Sequence, residues 1–138
     1  MLNTYTSTNQ TVAANETVKF TTNGLFTSSC INHPANSDII TLNRSGYYKI
    51  DFYATGTATA STATSPITFQ LYKDNSAVTS VLSSELSATN TDTRSFNFTT
   101  VIRVKNSCPM VDSSISLKVV NTGEGATLSN ANFIVTRL

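Results

Sequence analysis

Apolar and polar side chains alternate with a period of two along much of the chain, the signature of strands with one face in a core. In Gly46 to Ala54, Tyr48, Ile50 and Phe52 alternate with Lys49, Asp51 and Tyr53. Ile67, Phe69 and Leu71 repeat the pattern before a turn at Asp74-Asn75. Phe96, Phe98, Thr100, Ile102 and Val104 line one side of a longer run, and Ile115, Leu117 and Val119 precede the turn Asn121-Thr122-Gly123. The last strand runs from Asn132 to Leu138, with Ile134 and Leu138 on one side and Phe133 and Val135 on the other. Thr17 to Thr21, Ile39 to Leu42 and Ala77 to Leu82 are weaker candidates. Thr55 to Ser65 is rich in Thr, Ala and Ser without an apolar repeat, and reads as a strand end running into a mobile loop. No window carries helical spacing. About eight short strands separated by turn signals predict an all-β, antiparallel two-sheet jelly-roll sandwich.

Composition sharpens this reading. Thr, Ser and Asn supply 56 of the 138 residues, while Glu, Gln, Lys and Arg together supply only 14. β-Branched residues lose rotamer freedom in a helix and pack well on a pleated sheet, so helical and doubly wound folds are disfavoured. With 39% apolar residues interleaved among the polar ones, the chain can bury enough surface to offset its ordering entropy. A net charge of +1 argues against nucleic-acid binding, which needs a basic surface to displace counterions from phosphates. The N-terminus lacks the basic and apolar regions of a signal peptide, and no run is long enough to span a bilayer, so no membrane insertion is expected.

Candidate chemistry is sparse. The single histidine, His33, lies in Cys30-Ile31-Asn32-His33-Pro34, which reads as a surface loop rather than a general-base setting, and the eight carboxylates are scattered. There is no phosphate-cradling glycine loop and no paired acidic motif for a divalent cation. No catalytic residue, metal site or cofactor is therefore assigned. Cys30 and Cys108 leave three readings open: a disulfide, two buried thiols, or, with His33, a zinc site that lacks a fourth ligand.

Three stretches together resemble one family. Ser45-Gly46-Tyr47-Tyr48-Lys49-Ile50-Asp51-Phe52-Tyr53 looks like the Gly-x-Tyr-x-Phe-type strand of tumour-necrosis-factor-like and complement globular-head jelly rolls. Phe69-Gln70-Leu71-Tyr72-Lys73-Asp74-Asn75 is similar to the hairpin that follows, and Ser129 to Leu138 resembles the final strand. The order agrees over residues 11–138, taken as the jelly-roll domain, with 1–10 as an N-terminal segment. The bacterial and bacteriophage branch is the most similar, which includes spore-surface glycoprotein domains and small phage fibre or decoration proteins. A collagen-like stalk is missing, and only five glycines are present, which favours the phage side.

The resemblance implies a homotrimer. Independently, the strand from Gly46 has aromatics on both faces, and an apolar face in water calls for a cover. With Tyr48, Phe52, Ile134 and Leu138 in the core, Tyr47, Tyr53, Phe133 and Val135 would point outward beside Lys49, Asp51 and Arg137, and these seven form the expected trimer interface. The implied function is a non-enzymatic structural or display protein of the virion surface, a head or tail fibre or decoration. Its expected partners are itself, other virion proteins and a host-surface glycan. Alternatives are the C-terminal trimerising domain of a spore- or cell-surface protein and a monomeric carbohydrate-binding module. The latter normally stacks aromatics on sugars, and the chain has no Trp.

Overall fold

The structure, a computed structural model, describes residues 1–26, 30–105 and 114–138. Its strands are β1 (Leu2–Thr6), β2 (Gln10–Val12), β3 (Thr22–Phe26), β4 (Ile31–Asn32), β5 (Ile40–Leu42), β6 (Gly46–Ala58), β7 (Ile67–Lys73), β8 (Ser76–Glu85), β9 (Arg94–Val104), β10 (Ile115–Asn121) and β11 (Ala126–Arg137). They form two antiparallel sheets. One has the order β3-β1-β11-β6-β9, with β2 also paired to β11; the other is β4-β5-β10-β7-β8. The expected all-β, two-sheet sandwich is the observed architecture.

The core lies between the sheets. From the six-stranded sheet come Tyr48, Ile50, Phe52, Phe96, Phe98, Phe133 and Val135; the opposite sheet supplies Ile40, Leu42, Ile67, Phe69, Leu71, Leu117 and Val119. Aromatic rings knit the layers, with Phe52 and Phe69 5.8 Å apart and Phe69 and Phe96 edge to face at 4.9 Å. The β7–β8 hairpin turns at Asp74-Asn75, where both residues have positive φ (50° and 64°), as a two-residue hairpin turn requires.

The N-terminal region departs from the sequence expectation. Residues 2–6 are not a separate segment: β1 lies between β11 and β3 as an integral strand. Thr17 to Thr21 is not a strand but makes single bridges, Thr17 to Val120 and Phe20 to Ser37. Ladder pairing carries β6 to Ala58, so the first four residues of the expected loop are strand, with Gly56 and Ala58 buried. The remainder is anchored as well: Ala63 is buried, and its N–H donates to the carbonyl of Ala88 at 2.9 Å.

The final strand brings the main correction. In the β6–β11 ladder Phe133 is opposite Phe52, and Val135 opposite Ile50. Directly opposed residues share a face, so Phe133 and Val135 belong to the core with no exposed surface. Ile134 points outward, and Leu138 is 70% exposed rather than buried. A bulge at Ser129 sets this phase, because the register shifts between Leu128 and Asn130. Gly56 faces the bulge. A Cβ there would overlap the carbonyl of Thr127 and come within 2.8 Å of Leu128 Cδ2.

Candidate functional site

The outer face of the six-stranded sheet is the candidate interface. Because β6 places even-numbered residues in the core, it turns Tyr47, Lys49, Asp51 and Tyr53 outward. The ladders set their neighbours: Tyr53 lies between Asn132 and Asn97, Asp51 between Ile134 and Thr99, Lys49 between Thr136 and Val101, and Tyr47 beside Arg103. Tyr5 of β1 extends the first row from the far side of Asn132. Tyr47 (52% exposed), Tyr53 (43%) and Val101 (52%) present large apolar surfaces to solvent.

Charge on this face is balanced locally. Thr99 Oγ1 donates to Asp51 Oδ1 at 2.7 Å, and Lys49 Nζ is 3.8 Å from Asp51 Oδ2. The Arg103 guanidinium lies 5.7 Å from the centre of the Tyr47 ring, a cation–π contact. Polar groups so partnered can enter an interface without leaving a charge alone. The outer face of the five-stranded sheet differs: the exposed Leu82 lies opposite Gln70 there, with Thr68 paired to Ser84 nearby, and further along the face the Lys118 ammonium lies 5.9 Å from the centre of the Tyr72 ring.

Of the seven residues expected at the interface, the structure brings Tyr47, Lys49, Asp51 and Tyr53 together on this face. Phe133, Val135 and Arg137 lie on the other side of the sheet. Arg137 is opposite Tyr48 at the end of the sandwich, where it donates to the Ser45 carbonyl at 2.8 Å and to Cys30 Sγ at 3.6 Å. Burial pushes the Tyr48 phenol above its ordinary value near 10, against the opposing pull of Arg137, and its hydroxyl donates to the Arg44 carbonyl at 2.7 Å. Sequence reasoning missed Val101, Ile134 and Tyr5, which strand pairing alone adds to the outer face.

His33 is not a surface-loop residue; it is 3% exposed. Its Nδ1 is 2.6 Å from Asn23 Oδ1 and its Nε2 2.8 Å from the Ser37 carbonyl oxygen, so both ring nitrogens face protein oxygens rather than a shared site with Cys30. The proposed cysteine partner, Cys108, lies outside the described residues. Among the described residues no cluster of three His, Cys, Asp or Glu side chains is placed to hold a metal ion, and no helix is long and apolar enough to cross a membrane.

Comparison with known proteins gives no matching family model and no match among curated proteins. Solved structures do match in fold. The Eiger TNF from S. frugiperda superposes with a TM-score of 0.62 at 10% identity, covering 99% of this chain and 92% of that one. The globular domain of zebrafish complement 1qA protein gives 0.59 at 7% identity, covering 99% and 97%. PRD1 vertex protein P5 gives 0.54 at 14% identity, covering 96% and 93%. The chain therefore has the jelly-roll fold shared by tumour-necrosis-factor and complement globular domains.

Proposed function

We propose that this chain is a non-enzymatic structural module that assembles as a homotrimer through the outer face of its six-stranded sheet. The observation that carries the reading is the exposed row of Tyr47, Tyr53 and Val101 on that face, with charges already partnered around it. Leaving such a surface wet costs solubility, whereas a heterologous contact that closes into a ring covers it in every copy at once. Within this reading the module belongs to a phage particle, as a head or tail fibre or decoration, and contacts other virion proteins. The fold likeness to a vertex protein supports this assignment. A Ser-, Thr- and Asn-rich exterior suits adhesion to a host-surface glycan through hydrogen bonds.

Sedimentation of the full chain tests the assembly. The expected mass is three times the 14.8 kDa of one chain. Tyr47→Asp combined with Tyr53→Asp should give folded monomers, while Tyr72→Asp on the other sheet should leave the trimer intact. A monomeric parent chain, or a double variant that still forms trimers, would overturn the proposal.

A further inference from the structure

Asn23-Gly24 is the chain's one Asn-Gly pair. Such a pair usually marks a tight turn with positive φ. Here it lies inside edge strand β3, and neither residue has a positive φ. Asn23 stands opposite the buried Thr4, so its side chain is directed inward, where it clasps the other layer. Its Nδ2 donates to the backbone carbonyl of His33 at 2.7 Å, and its Oδ1 lies 2.6 Å from His33 Nδ1. His33 follows β4 of the opposite sheet, with Nε2 2.8 Å from the Ser37 carbonyl oxygen and Nδ1 3.3 Å from Thr4 Oγ1. Strand β3 is otherwise lightly held. It pairs with β1 on one side only, and four of its five residues are exposed, Leu25 and Phe26 among them. An edge strand so placed opens at a fraction of the free energy of global unfolding.

We infer that Asn23-Gly24 is a self-modification site, which the closed fold withholds and which makes an opening of β3 permanent. Once β3 lifts away, the Gly24 amide nitrogen attacks Asn23 Cγ. A C–N bond forms and closes an imide ring, the Cγ–Nδ2 bond breaks, and Nδ2 leaves as ammonia, taking the proton of the Gly24 N–H. Water then adds to either imide carbonyl and opens the ring to aspartate or isoaspartate. No electrons change hands, and water is the one co-reactant. Glycine at the attacking position leaves the nitrogen unshielded and the backbone free to bend.

The closed strand forbids each part of this. Both polar atoms of the Asn23 amide are held against residue 33, away from the Gly24 nitrogen. The imide ring also needs a ψ outside the extended range that pairing with β1 imposes. Reaction therefore requires the clasp broken and β3 free. Return is blocked as well. Neither product carries the Nδ2–H that the His33 carbonyl accepts, and a buried carbonyl without its donor is costly. Isoaspartate further adds a methylene to the main chain at the residue opposite Thr4, which breaks the register of β3.

Peptide mass mapping of the full chain, incubated in mildly alkaline buffer and in guanidinium chloride, reads the conversion at Asn23. Because only the open fraction reacts, the folded chain should convert at least about tenfold more slowly than the denatured one. His33→Ala removes the ring half of the clasp and should speed conversion in buffer without changing the denatured rate. Gly24→Ala should slow conversion in the denatured chain. Converted chain returned to buffer should exchange its β3 amides faster than the parent while β6 stays protected. Equal rates for folded and denatured parent overturn the inference. So does a folded His33→Ala that converts no faster than the parent, or converted chain whose β3 is protected as before. If His33→Ala does not fold, the parent chain's two rates and the exchange of its converted form decide the matter.

Discussion

Phe133 lies directly opposite Phe52 across the β6–β11 ladder, and both side chains are buried between the sheets. Its ring also packs 5.5 Å from that of Phe20, which is itself fully buried. Phe133→Ala should therefore cost about 3–5 kcal/mol, the usual range for emptying a buried phenylalanine site. Ile134→Ala, one residue along but on the outer face, should cost less than about 1 kcal/mol within a protomer. Urea unfolding of the two variants checks the contrast, and equal losses would show that the face assignment is wrong.

At Gly56 the expectation is steric. The backbone of Thr127 and the side chain of Leu128 occupy the space a methyl group would need. Gly56→Ala should destabilise by about 1–3 kcal/mol, as overpacking does. Gly24→Ala, where the nearest atom is in the Tyr5 ring at 3.2 Å, should be milder. Thermal midpoints of the two variants make the comparison.

Tyr48 predicts a loss of stability in alkali. Burial favours its neutral phenol, so the folded value lies above the ordinary one near 10. The stabilisation is fully present below that ordinary value and is lost as pH rises through the higher folded value. Tyr48→Phe removes the titration along with the hydrogen bond to Arg44, costing about 1 kcal/mol at neutral pH. Above pH 10 its stability should decline less steeply than that of the parent chain, as read from denaturant midpoints; identical slopes would refute the assignment.

Ser87 holds the connection between β8 and β9. Its buried Oγ accepts from the Ala58 N–H at 2.9 Å and donates to the Asp92 carbonyl at 2.7 Å. Ser87→Ala leaves the Ala58 N–H without that partner and should cost about 1–3 kcal/mol. Amide exchange at Ala58 should quicken in the variant.

The sequence made the central strands plain because Tyr48-Ile50-Phe52, Ile67-Phe69-Leu71 and Ile115-Leu117-Val119 bury every second residue and expose polar ones between. It hid β1 for a chemical reason. Leu2, Thr4 and Thr6 alternate inward just as regularly, but two of the three are threonines, buried with their hydroxyls donated to the carbonyls of Thr22 and Lys19. An apolar repeat cannot be seen where a satisfied hydroxyl takes the place of a methyl group. The interface was half legible for a different reason. The β6 residues followed from alternation alone, whereas placing Phe133 and Val135 required the register of β11 against β6, which a bulge of one residue reverses. The environment of His33 depends on Thr4, Asn23 and Ser37, contributed by three separate stretches of chain, and no local spacing announces it.

The position of β11 governs how the chain is made. It lies between β1 and β6, yet it leaves the ribosome after β1 to β10. Leu2 must wait for Val135 to arrive before its strand gains that neighbour. The nascent polypeptide therefore carries β6, with its apolar Ile50 and Phe52, beside a raw hydrogen-bonding edge while β7 to β10 are made. Such an edge invites pairing between neighbouring chains on a polysome. Closure of the sheet is a late, long-range event, and the yield of folded protein will track the chaperone capacity available while that edge stands open.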